Sequence, residues 1–182
     1  MNLEPIILHT KNFILKGTSA ELLTHCFENW TDQELRDFFY LESDDDIAKE
    51  KENISKGVST YKMSSIYFYI LDKFDNKLLG DCGFHTWHLK HHRAEIGYAL
   101  RDENNWGKGY MSEIIPILLK YGFEEMGLHR IEAMVGTSNP ASEKLLLKNK
   151  FEYEGFSKEN YNNKGKFEDS KLYGLLKSNW RQ

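Results

Sequence analysis

The chain holds only two cysteines, Cys26 and Cys82, and three prolines among 182 residues. Two cysteines make no disulfide framework at this length, so buried, reduced thiols in a cytoplasmic protein are expected. With so little proline, no Pro/Gly/Ser-rich linker marks a boundary, and residues 1–182 read as a single domain. Long apolar runs are missing, so no bilayer span is expected. The stretch MNLEPIILHTKNF lacks the basic region and apolar core of a secretory signal, so none is expected. A basic surplus is missing too: the formal net charge is −4, which argues against a general nucleic-acid binder. Aromatic residues, in contrast, make up 14% of the chain and apolar residues 40%, which argues against a disordered chain and for an ordinary globular one.

Periodicity supplies the elements. Ile6 to Lys16 is β-rich and reads as a first strand. Leu22, Leu23, Cys26, Phe27 and Trp30 have helical spacing. Thr31 and Glu34 form a capping-box pattern for a short helix through Phe39. The charged run SDDDIAKEKENISKGV predicts a third helix, with its acids at the N-terminal end as the helix dipole prefers. Ile66 to Leu71 and Lys77 to Trp87 read as a hairpin turning at Asp75-Asn76, and Arg93 to Arg101 as the next strand. Met111, Ile114, Ile115, Leu118, Leu119, Gly122 and Phe123 mark one helical face, with Pro116 inside it as a kink or a lost backbone bond. HRIEAMVG predicts a strand and NPASEKLLLKNK a helix. FEYEGFSKENY and KFEDSKLYGLLK predict a closing hairpin around NNKG. This order predicts a mixed α/β (α+β) fold: a mostly antiparallel twisted sheet, one central parallel β-α-β pair, and helices on both faces.

Between the strand at Arg93–Arg101 and the helix lies NNWGKGYMSE, Asn104 to Glu113. Glycine disfavours helix interiors, yet two of them stand at this helix start. A strand entering such a turn aims free N–H groups and the positive end of the helix dipole at one point, which suits a phosphate. A tight turn without a ligand is the alternative. The P-loop pattern is absent, and the dinucleotide pattern G-x-G-x-x-G fails at Ser112, which weakens a NAD(P)-dependent oxidoreductase. The pyrophosphate of coenzyme A is the remaining reading.

AEIGYALRDENNWGKGYMSEII resembles the central motif of the GNAT superfamily of N-acetyltransferases, in the branch with the ribosomal-protein acetylases RimJ and RimL. Trp106 stands where the superfamily has Arg or Gln, and Met111 where it has Gly or Ala. KNFILK, NPASEKLLLKNKFEYEG (with Lys150 where glycine is usual) and GKFEDSKLYGLLKSNW resemble further segments of that branch in the same order. The resemblance implies a sheet splayed at the parallel pair to admit acetyl-CoA. Ala99, Leu100 and Arg101 would bond the pantetheine arm through main chain, like an added strand. Trp106, Gly107, Lys108, Gly109, Tyr110 and Met111 would hold the pyrophosphate, and Asn139 the pantetheine amide.

The implied reaction is direct attack of a primary amine, on a protein N-terminus or a small molecule, upon the acetyl thioester. Glu95 is the expected base, through water, and a backbone N–H of its strand the oxyanion donor. Many superfamily members protonate the thiol with a tyrosine seven residues after the asparagine matching Asn139; here that position is Leu146. Ser142 aligns with a serine proposed to assist the thiol. A non-catalytic acyl-CoA-binding sensor module is the alternative. Cys82, His85, His88, His91 and His92 suggest a metal cluster, but alternation sends Cys82 and His88 opposite to His85, and no metal is expected. His85 or His88, along with Trp87, is a candidate for the acceptor pocket. No membrane or nucleic-acid partner is expected, and a homo-oligomer is left open.

Overall fold

The computed structural model describes residues 3–57, 63–163 and 165–180. Val58, at the end of the expected charged helix, and Lys164, in the expected closing turn, lie outside the described residues. One sheet of eight strands runs through the protein: β1 (Ile6–His9), β2 (Phe13–Ser19), β3 (Met63–Asp72), β4 (Leu78–His88), β5 (Arg93–Leu100), β6 (Arg130–Gly136), β7 (Glu152–Asn163) and β8 (Lys166–Leu176), in the spatial order β1-β2-β3-β4-β5-β6-β8-β7. Among the described residues every pairing is antiparallel except β5 with β6.

Side chains alternate across the sheet and divide it into two faces. Ile66, Phe68 and Ile70 of β3 are buried with Phe13, Leu15, Phe84, Ala94, Ile96 and Ile131 against the helix α4 (Tyr110–Lys120), through Ile114, Ile115 and Leu118. The helix α5 (Pro140–Lys148) adds Leu146 to this core. Tyr69 points the other way. It packs on a second cluster, Leu22, Cys26, Leu35, Phe39 and Ile47, contributed by α1 (Ala20–Asn29), α2 (Asp32–Phe39) and α3 (Asp44–Ser55). Burying each such side chain contributes roughly 1.5–3 kcal/mol. Lys16 of β2 ties the second cluster down, with Nζ 3.6 Å from the Phe38 ring centre and donating to the Phe38 carbonyl at 3.0 Å.

The helix starts follow their side chains. Ser19 Oγ accepts from the Leu22 N–H, and Thr31 and Glu34 form the expected capping box. Ser43 and Asp46 form a second box at the acidic start of α3. The α4 helix continues through Pro116 and widens into a π turn at Tyr121–Glu125, closed by the Met126 N–H on the Tyr121 carbonyl. A last turn, α6 (Lys177–Trp180), stacks Trp180 on Phe123.

The first strand requires correction. Ile6 to Lys16 is not one strand but the hairpin β1–β2, broken where the Thr10 N–H bonds the Phe13 carbonyl. A distant residue holds this turn: Glu113, in the first turn of α4, accepts from Thr10 Oγ at 2.6 Å, from the Asn12 N–H at 2.6 Å and from Asn12 Nδ2 at 2.7 Å. Burial pushes the Glu113 carboxyl up, but these bonds outweigh it and hold it below its ordinary value.

Candidate active site

The two parallel strands stay together only briefly. Arg93, Ala94 and Glu95 pair with Arg130, Ile131 and Glu132, and the ladder then stops, although β5 runs to Leu100 and β6 to Gly136. The strands therefore splay, leaving backbone groups of β5 unmatched on that side. The Arg101 N–H already donates to the Leu79 carbonyl at 3.0 Å. The Ala99 carbonyl also faces β4, since a Cβ on Gly80 would lie 2.1 Å from it. Alternation then turns the main chain of Tyr98 and Leu100 toward the gap. Of the three residues expected to offer main-chain bonds, only Leu100 faces it, and Tyr98 joins it.

The gap opens into a cleft of about 640 Å³ on the α4–α5 side. Tyr98, Ala99 and Leu100 form one wall, Ser138, Asn139, Ala141, Ser142 and Leu145 the opposite one. The turn at Asn105–Gly107 and the start of α4 at Gly109–Ser112 close the end. Gly107 and Gly109 have φ of 72° and 83°, in the left-handed region that side chains adopt only with strain. Gly109 caps α4 with no side chain, so the first-turn N–H groups keep their bonding capacity for a ligand. Trp106 is 60% exposed. Lys108 is not part of the cleft wall; its Nζ lies 3.4 Å from Asn105 Oδ1.

Asn139 caps α5, its Oδ1 accepting the Ser142 N–H at 3.1 Å. The Ser142 hydroxyl meets that of Tyr98 at 2.7 Å. Tyr98 was missed in the sequence, although the alternation that buries Ala94 and Ile96 also aims residue 98 at the helix side. Leu146, in the place of the superfamily tyrosine, is fully buried and brings no polar group to the cleft.

Glu95 occupies the opposite face of β5. Its carboxylate lies 3.8 Å from His85 Nδ1, and its side chain is 16% exposed. Burial raises its pKa. His85 works against this, the like charge of Glu132 adds to it, and the Met134 amide lowers it; the net direction is up. Glu132 is itself held by Arg93 at 2.5 Å and by Arg130 Nε at 2.9 Å, and Arg130 continues to Glu154. The His85 ring covers Gly97, where a Cβ would come within 3.1 Å of Nε2.

His85 and Trp87 do not share a face as strict alternation requires. Thr86 is left-handed (φ 49°), the β4–β5 register shifts between His85 and His88, and Trp87 packs against the main core. The same bulge disturbs the histidine-rich stretch. Among the described residues, no group of three or more His, Cys, Asp or Glu is placed to hold a metal ion. Cys26 and Cys82 are free and buried, and burial pushes the Cys26 thiol up to about 11. Among the described residues, no helix is long and apolar enough to cross a membrane.

Residues 13–152 match the family model described as the Acetyltransferase (GNAT) domain. The chain is 35% identical over 175 residues to the uncharacterized N-acetyltransferase YoaA of Bacillus subtilis, a match that covers 94% of this chain and 97% of that one. It is 26% identical over 149 residues to a ribosomal-protein-serine acetyltransferase of Escherichia coli, covering 82% and 80%. In fold it resembles the crystal structure of spermidine N-acetyltransferase from Vibrio cholerae in complex with CoA and spermine, with TM-score 0.69 and 20% identity over 94% of this chain and 99% of that one.

Proposed function

The chain belongs to the GNAT acetyltransferase family and is an N-acetyltransferase; from that premise we propose that residues 1–182 form one RimJ/RimL-like domain, working in the cytoplasm, that moves the acetyl group of acetyl-CoA to a primary amine by direct attack on the thioester. The observation that carries this reading is the splayed β5–β6 pair ending at the uncapped N-terminus of α4. A pantetheine arm fits along the main chain of Tyr98 and Leu100, and a diphosphate fits the amides around Gly107 and Gly109. Tyr110 and Met111 supply first-turn amides, and Asn139 stands beside the arm. The acceptor is a protein N-terminal amine or a small-molecule amine. The chain's N-acetyltransferase identity sets aside the non-catalytic alternative.

The two chemical groups stand on opposite faces of the gap, which matches the demands of the reaction. The amine approaches from the Glu95–His85 face and must lose a proton. Glu95, its pKa raised toward the working range, takes that proton through water. The carbonyl oxygen gains charge in the gap, where an unmatched N–H of β5 meets it. The sulfur departs on the other face, beside Ser142. The Glu95 carboxylate and the net charge of −4 favour a cationic acceptor.

Thiol release from acetyl-CoA, measured across a panel of N-terminal peptides and polyamines, tests the reading. At least one amine should be acetylated, and Glu95→Gln and Ser142→Ala should each slow turnover by about 10²-fold. Wild-type rates in both variants would remove their assigned roles; no turnover with any primary amine would remove the reaction.

A further inference from the structure

Tyr98 leaves β5 just beyond the last β5–β6 pair, and its hydroxyl crosses the cleft to lie 2.7 Å from Ser142 Oγ at the start of α5. The serine is fixed from behind, because Asn139 Oδ1 holds its N–H. Either hydroxyl could donate in that pair, but if Ser142 serves the leaving sulfur its own proton must stay available. We propose that Tyr98 is a positioning residue for thiol departure: its O–H donates to Ser142 Oγ and turns the Ser142 O–H toward the cofactor sulfur. This inference rests on the reading of Ser142 given above.

The energetics separate two versions of the step. As the C–S bond breaks, its electron pair stays on sulfur, the acetyl carbon keeps the new C–N bond, and the amine proton leaves on the Glu95 side. A thiol has a pKa of about 8.5 and a phenol about 10. Burial raises Tyr98 further, and the bond to Ser142 offsets only part of that. Handing a proton from Tyr98 through Ser142 to the sulfur would therefore run uphill. A hydrogen bond onto the thiolate carries no such penalty. CoA thus leaves as a thiolate held by the Ser142 O–H, and the charge is balanced by the amine proton that Glu95 passes to solvent; the thiolate equilibrates with buffer only after release. Donation from Tyr98 polarises the serine hydroxyl, and bonds to a charged acceptor gain most from such a chain.

The test measures turnover by thiol release at saturating acetyl-CoA, with the amine that reacts fastest in the panel, for wild type, Tyr98→Phe, Ser142→Ala and the double variant. CoA affinity is followed by calorimetry and folding by the melting temperature. Tyr98→Phe keeps the ring and its packing. It should lower kcat by about 10-fold while leaving CoA affinity and the KM for acetyl-CoA within about twofold. The double variant should be no slower than Ser142→Ala, since the phenol acts through the serine. Slow turnover in Ser142→Ala beside a wild-type Tyr98→Phe overturns the inference and leaves the reading of Ser142 standing. A double variant that shows the product of both losses, or a Tyr98→Phe loss confined to KM, overturns it as well. Wild-type turnover in Ser142→Ala overturns both.

Discussion

On the α4–α5 side the β5–β6 gap ends on main-chain groups, at the turn of Gly107 and Gly109 and the first turn of α4, which has no side-chain cap; on the other side it is met by side chains, Glu95 and His85 over the bare backbone of Gly97. Main-chain amides recognise a diphosphate and a pantetheine amide whatever the neighbouring side chains are, provided the backbone can adopt the turn. Side-chain walls are tuned by charge and burial, so they suit one acceptor and one reaction. A ligand shared across a large family can thus be held by backbone, while the variable partner is met by residues free to change.

The sharpest way to break this contrast is to deny the backbone its conformation. Gly107→Val with Gly109→Val places β-branched residues at φ of 72° and 83°, a strain of order 1–3 kcal/mol each. A Cβ at either glycine meets nothing within 4 Å, so the effect acts through backbone conformation and not through a clash with the rest of the protein. CoA affinity measured by calorimetry should fall by about 10²-fold or more. Undiminished affinity would mean that the glycine turn is not the diphosphate site.

A smaller effect sharpens the other wall. Burial, and then the charge of Glu132, hold the Glu95 carboxyl above its ordinary value. A base works when ionised, so kcat/KM should rise with pH through that raised value. Glu132→Gln removes the like charge and frees Arg93 and Arg130, and both changes favour ionised Glu95. The acid limb of the pH profile should move to lower pH with CoA affinity unchanged. An unmoved limb would show that another group supplies it.

This division also explains what was legible in the sequence. The glycine turn, the strand before it and the apolar face of α4 were readable because each is a local pattern: positive φ calls for glycine, and packing calls for Ile114, Ile115 and Leu118 at helical spacing. The β1–β2 turn was not readable, because Glu113 stabilises it from a hundred residues away. Nor was the separation of Trp87 from His85, which depends on a left-handed Thr86 that no propensity announces. Tyr98 could have been found by extending the alternation of Ala94 and Ile96 by one step. The match of Ser142 to that phenol could not, because it needs the tertiary approach of α5 to β5.

The most direct measurement is amide hydrogen exchange, residue by residue, with and without acetyl-CoA. The account predicts slowed exchange at Tyr98 and Leu100 and across Gly107–Ser112, with the amides of α1–α3 unchanged. Protection confined to α1–α3, or none along β5 and the start of α4, would contradict it.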